Sequence, residues 1–274
     1  MFGKYLEAVR YASPLIHNIT NYVTVNDCAN ILLACGASPI MSDDLGEVEE
    51  ITSICGGLNI NIGTLSKNTI PSMFLAGKKA NELGHPVILD PVGAGASSLR
   101  TETAGRLLGE VKFAVIRGNI SEIRALALGT GSTRGVDAAA ADAISVETME
   151  SAVSLARALA VKTGAVIVIS GGTDIVTDGE RSFLIKNGHP VMARITGSGC
   201  MLTALTAAFI AASPRNILEA AAAGACAMGL CGERAFLTME RNGAGNSSFR
   251  NYLIDEAYKL DSAALDRGEN FSRA

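Results

Sequence analysis

Tryptophan is absent from the 274 residues, aromatic side chains make up only 5%, and histidine occurs three times. Lysine and arginine never gather into a basic run interleaved with aromatics, and the net charge is −4. Both absences argue against a nucleic acid or an anionic membrane surface as a partner, since each needs a concentrated cationic face. Contact with phosphate must therefore be local. No CxxC pair or histidine-rich ligand set occurs around Cys28, Cys35, Cys55, Cys200, Cys226 and Cys231. Reduced thiols in a cytoplasmic protein are expected. Met1-Phe2-Gly3-Lys4 opens a charged amphipathic segment and lacks an apolar signal core. The alanine-rich stretches are broken by Thr203, Thr206, Glu219, Glu233 and Arg234, so neither export nor a membrane span is expected. No linker, low-complexity block or shift of composition divides the chain, which predicts one domain over residues 1–274.

What is present is an alternation of short β-like runs with helical stretches, in a chain with 48% hydrophobic residues. That rhythm predicts an α/β fold: a mainly parallel central sheet with helices on both faces. Pro14 to His17 begins it, followed by the polar cluster Asn18-Ile19-Thr20-Asn21 and a helix from about Thr24 to Cys35, stopped by Gly36. The asparagines at that strand end either bind a ligand or cap the helix. Ser38-Pro39-Ile40-Met41 is a second extended piece, and Met41 is either a soft apolar wall or ordinary core. Leu58 to Ile62 alternates with period two and ends at Gly63-Thr64, ahead of a helix from Asn68 to Glu82. Gly63 and Thr64 would lie at the carboxyl edge of the sheet, where open α/β sheets bind ligands.

The later strands end in chemistry. Pro86 to Leu89 runs into Asp90-Pro91-Val92-Gly93-Ala94-Gly95, where Asp90 either acts on a metal–phosphate group or initiates an Asx-Pro turn. Phe113 to Ile116 runs into Arg117-Gly118-Asn119-Ile120-Ser121-Glu122. Arg117 can fork onto phosphate oxygens, while Asn119 and Glu122 share one face as ligands or form a reciprocal capping box. Arg134-Gly135-Val136-Asp137 interrupts the next connection. A helix from Glu147 to Thr163 and a buried strand from Ala165 to Ile169 then lead to Ser170-Gly171-Gly172. Asp174 to Ile185 reads as a hairpin turning at Asp178-Gly179, an antiparallel edge pair. An alanine-rich helix from Ile217 to about Thr238, a last helix from about Phe249 to Leu260 and a frayed tail complete the expectation.

Between the hairpin and the alanine-rich helix lies Thr196-Gly197-Ser198-Gly199-Cys200, opening a helix of small residues. Its glycines let successive N–H groups converge at a helix start, a concavity that suits an anion. The field of the same helix is expected to lower the pKa of the Cys200 thiol. A phosphate cradle with a nucleophile or base at its rim reads as phosphoryl transfer. The plain alternative is a glycine-permitted turn before a packed helix.

Five stretches in register carry a resemblance: Leu15 to Asn21, Gly36 to Met41, Leu89 to Gly93, Ile116 to Ile123 and Gly197 to Cys200. In that order they resemble the hydroxyethylthiazole kinases of the ribokinase-like superfamily. The resemblance implies a ribokinase-like domain without a separate lid. It also implies ATP-dependent phosphorylation of the primary alcohol of 4-methyl-5-(2-hydroxyethyl)thiazole, a thiamine salvage step, with Mg²⁺ and a homotrimer whose thiazole site lies between subunits. On the matching positions, Met41 and Gly197 would contact the thiazole, Arg117 and Ser170 the nucleotide, and Asp90 and Glu122 the magnesium region. Cys200 would stand where most ribokinase-like kinases have the Asp that accepts the hydroxyl proton. Ser170 and Ser198 stand where the family often has Thr, which keeps the hydroxyl. Gly243 to Phe249 matches the family only loosely, and nothing is carried over from it. Another ribokinase-like kinase, a hydrate dehydratase and a non-catalytic nucleotide sensor remain as alternatives.

Overall fold

The computed structural model describes residues 1–128 and 146–274, so the expectation for Arg134 to Asp137 lies outside the described residues. In chain order the helices are α1 (Gly3–Ala12), α2 (Val25–Cys35), α3 (Val48–Ile54), α4 (Thr69–Leu83), α5 (Ser98–Glu110), α6 (Ile120–Leu128), α7 (Val146–Thr163), α8 (Ser198–Ala212), α9 (Ile217–Arg241), α10 (Asn246–Lys259) and α11 (Ser262–Gly268). The strands are β1 (Leu15–Ile19), β2 (Ser38–Met41), β3 (Gly57–Asn61), β4 (Val87–Asp90), β5 (Val115–Asn119), β6 (Val166–Ser170), β7 (Asp174–Thr177), β8 (Ser182–Ile185) and β9 (Phe271–Arg273). Among the described residues they form one sheet in the order β2-β1-β3-β4-β5-β6-β7-β8-β9. The pairs from β2 to β6 are parallel and those from β6 to β9 antiparallel.

Side-chain alternation along each strand builds two cores. Ile16, Ile88, Val115 and Val168 face α1, α2 and α8 to α11, whereas Leu58, Leu89, Ile116 and Ile167 face the layer from α3 to α7. Chain punctuation follows local chemistry. Gly36, at φ 99°, closes α2 by donating to Leu32 and Leu33 carbonyls, and Ser97 caps α5 by accepting from the Arg100 N–H. Pro39 is tolerated because β2 is an edge strand.

Two expectations are corrected. The tail is ordered: Asp261 caps α11, Leu265 is fully buried, and β9 pairs with β8. The reason is tertiary, since Phe271 packs at 4.9 Å from Phe2 and 5.6 Å from Phe183, ring centre to ring centre. For the same reason the β7–β8 hairpin, although antiparallel as expected, is not the sheet edge. Among the described residues, no helix is long and apolar enough to cross a membrane.

Candidate active site

Polar side chains gather where β3, β4 and β5 end beneath the start of α8. The period of two that puts Leu58 and Ile60 into one core turns Asn59 and Asn61 to the opposite face, toward α8. Asp90 ends β4 directly beside Asn61, its register partner. Asn61 Nδ2 donates to Asp90 Oδ2 at 2.9 Å and lies 3.3 Å from Cys200 Sγ. Asn21 Nδ2 donates to Asn61 Oδ1 at 3.1 Å and to Cys200 Sγ at 3.2 Å. The orientation of both amides is fixed, because Asn21 Oδ1 accepts from the Thr24 N–H and hydroxyl and Asn61 Oδ1 accepts from Gly63 N–H. Asn21 thus does both things its position allowed: its oxygen holds the start of α2 and its nitrogen serves the site.

Asp90 is fully buried and receives the Thr203 hydroxyl at 2.8 Å. Arg117 Nη1 stands 3.7 Å from the same Oδ2 and its Nη2 donates to the Ser170 hydroxyl. Burial pushes the Asp90 carboxyl up to about 6; Arg117 and the hydrogen bonds from Thr203 and Asn61 oppose that rise, and Glu122 adds to it. Asp90 Oδ1 is buried without a hydrogen-bond partner. Arg117 packs its guanidinium against Gly199, where a Cβ would stand 2.5 Å from Nη1 and displace it. Gly197 holds φ at 87° and packs against Thr24, where a Cβ would come within 2.6 Å of Cγ2.

Cys200 occupies the first turn of α8, where the leading N–H groups have no intrahelical acceptor. The expectation that this position lowers the thiol pKa does not hold. Burial, and next the Asp90 carboxylate, push the thiol above its ordinary value, and hydrogen bonds from Thr24, Asn21 and Asn61 offset only part of the rise. Desolvation and a neighbouring anion both disfavour the thiolate.

Beside this cluster opens a cleft of about 490 Å³ whose lining includes Arg117, Ser170 and Gly199, with Met192, Ala225 and Met228 on its apolar side. The sequence profile of the hydroxyethylthiazole kinase family matches residues 6–263. The chain belongs to that family. A hydroxyethylthiazole kinase of Clostridium acetobutylicum is 61% identical over 266 residues, covering 97% of each chain. The solved structure of a hydroxyethylthiazole kinase protein from Pyrococcus horikoshii OT3 superposes with a TM-score of 0.88 at 35% identity, over 100% of this chain and 98% of that one. A ribokinase-like superfamily protein from Enterococcus faecalis V583 shares the fold, with a TM-score of 0.60 at 13% identity over 92% of this chain and 89% of its own. The α/β fold is therefore ribokinase-like.

Within this kinase-family fold the residues singled out in the sequence fall into three groups. Arg117 and Ser170 line the cleft, and Asp90, Cys200 and the Gly197 turn lie next to it around Asn21 and Asn61. Glu122 is committed to backbone: Asn119 and Glu122 form the reciprocal capping box, each at 2.8 Å, and the other Glu122 oxygen accepts Gly93 N–H at 2.9 Å. Met41 stands apart from the cleft, half-buried at the end of edge strand β2 opposite Asn18, and packs partly on the core. Asn61 and Thr203 carry the network yet were not singled out. Asn61 was legible as a polar residue at an inward strand position, and Thr203 as the residue three on from Cys200, on the same helix face.

Proposed function

We propose that the chain transfers the γ-phosphoryl group of ATP to the primary hydroxyl of 4-methyl-5-(2-hydroxyethyl)thiazole. Family membership supports the substrates. The observation that carries the chemistry is the placement of Cys200 Sγ, held by the Asn21 and Asn61 amides at the start of α8 and flanked by Asp90 and Arg117. The cleft lined by Arg117 and Ser170 is read as the nucleotide site. Arg117 and the free N–H groups of Ser198, Gly199 and Cys200 face a transferring phosphoryl group with positive charge and donors, and the transfer itself needs little else. The alcohol oxygen bonds to phosphorus as the bond to the ADP oxygen breaks, and the hydroxyl proton passes to Cys200 as thiolate.

Mg²⁺ is part of this reading. The partnerless Asp90 Oδ1 fits a hard cation or a water on one, and Glu122 keeps lone pairs beyond its backbone bonds. When bound, the ion would neutralise charge on the phosphate oxygens. Met41 and Gly197 are read as thiazole contacts, with Met41 supplied by a neighbouring subunit of a homotrimer. Exposed apolar residues near these strand ends support such an interface: Tyr22 is 78% exposed, Val23 57% and Leu45 47%. One domain over 1–274 without a separate lid is supported by the unbroken sheet, and free thiols at all six cysteines suit the cytoplasm. The test is direct. Purified protein with Mg-ATP and the thiazole alcohol should form the phosphate ester by mass spectrometry, and EDTA should stop it; ATP turnover indifferent to the alcohol, with no ester, would refute the assignment.

A further inference from the structure

One wall of the cleft is a segment that lies beyond the last paired residues of β8. β8 ends at Ile185, and Asn187, Gly188 and Met192 then line the cleft before and within the 3-10 turn Pro190–Arg194. One of its anchors is a carboxylate oxygen on α9. Glu233 Oε1 accepts from Asn187 Nδ2 at 3.0 Å and from Gly188 N–H at 2.9 Å. Gly188 holds φ at 135°, so the turn adopts a conformation that local preference alone would not maintain. Asn187 has no group left to read a ligand: Nδ2 also donates to Gly268 carbonyl at 2.9 Å, and Oδ1 accepts from Asn270 N–H at 2.7 Å and from the Cys226 thiol at 3.1 Å. It is a buried junction between the cleft wall, α9 and the segment that follows α11. Just beyond, the His189 ring stacks on Phe236 of α9 at 3.6 Å and 16°. The wall is therefore pinned to α9 on both sides of Gly188, and Glu233 is the group that makes no contact with the cleft yet fixes its shape.

We propose that Glu233 is a positioning residue for nucleotide binding, holding the Asn187-Gly188 turn so that the base of a nucleoside di- or triphosphate enters a preformed slot between Met192 and the α9 face at Ala225 and Met228. This rests on the reading of the cleft as the nucleotide site. Without the acceptor, the Gly188 N–H and the Asn187 amide lose a shared partner, the turn is free to relax, and ordering it becomes part of the cost of binding.

The experiment measures ADP affinity by calorimetry, with KM for ATP and for the thiazole alcohol, in wild type, Glu233→Met, Glu233→Gln and Ser170→Ala. Glu233→Met keeps length without an acceptor and should weaken ADP binding and raise KM for ATP about tenfold, leaving KM for the thiazole alcohol unchanged. Glu233→Gln retains an acceptor oxygen and should stay within about threefold of wild type. If Glu233→Met does not fold, Gly188→Ala strains the same turn with α9 intact and should show the same split. ADP binding unchanged in folded Glu233→Met or Gly188→Ala overturns the proposal. If Ser170→Ala weakens ADP binding and the turn variants do not, only the role of Glu233 falls. If wild type binds no ADP, the nucleotide reading of the cleft falls with it.

Discussion

Replacing Cys200 separates a proton acceptor from a bystander, because the structure sets how much thiolate is available. An ordinary thiol at 9.0 is about 1% ionised at pH 7, and here burial and the Asp90 carboxylate push the value higher still. A reaction that starts from the thiolate therefore has kcat/KM rising about tenfold per pH unit from about pH 6.5 to 9, since that parameter reports ionisations of the free enzyme. Cys200→Ala should cost roughly 10²–10⁴ in rate, about 3–5 kcal/mol of barrier, and should flatten the profile. Cys200→Asp should keep activity at neutral pH with a shallower slope, because a carboxylate ionises well below a thiol. Ester formation quantified by mass spectrometry after quenching avoids coupling enzymes with their own pH limits. A wild-type profile flat over that range, or a Cys200→Ala enzyme with the wild-type slope, refutes the assignment. So does a phosphocysteine intermediate trapped by rapid quench.

Three further outcomes follow from the same geometry. Asp90 titrates near 6 in the fold against 3.8 when free, so the native state binds its proton more tightly and loses stability as pH rises from about 4 to 6. Asp90→Asn should then gain unfolding free energy relative to wild type, more at pH 8 than at pH 5 and by at most about 3 kcal/mol, while abolishing activity; equal differences at both pH values in denaturant titrations would contradict this. Gly199→Ala puts a Cβ 2.5 Å from Arg117 Nη1, and kcat/KM should fall roughly 10²-fold in a protein with unchanged circular dichroism. If the proposed trimer shares its thiazole site between subunits, Met41→Asp and Cys200→Ala proteins should each be nearly inactive, yet co-expression should restore part of the activity by forming interfaces where an intact Met41 faces an intact Cys200. Absence of rescue in co-purified mixed trimers would place both residues of a site in one chain.

The sequence by itself determined the class of fold and most of its order. Short apolar runs ending in Asp90, Arg117 and Ser170, alternating with helices, are enough for a parallel sheet, and a ribokinase-like order of motifs spans the chain. It also placed the glycine turn at Gly197 that opens α8, because glycine spacing before an apolar helix is a local property. What it could not decide was every competition between local and distant partners. In the sequence Glu122 reads equally as a metal ligand or a cap; only the structure shows that it caps, one oxygen accepting Asn119 N–H and the other Gly93 N–H from a distant loop, with lone pairs left over. The tail looked frayed because Phe271 is stabilised by Phe2 and Phe183, both far away in sequence. The thiol of Cys200 looked acidified because the helix start is local, while the burial and the Asp90 charge that win are supplied by other strands. Periodicity and capping act over a few residues and are written in the chain. Desolvation, hydrogen-bond sharing and electrostatics sum over neighbours in space, and only the tertiary structure fixes who those neighbours are.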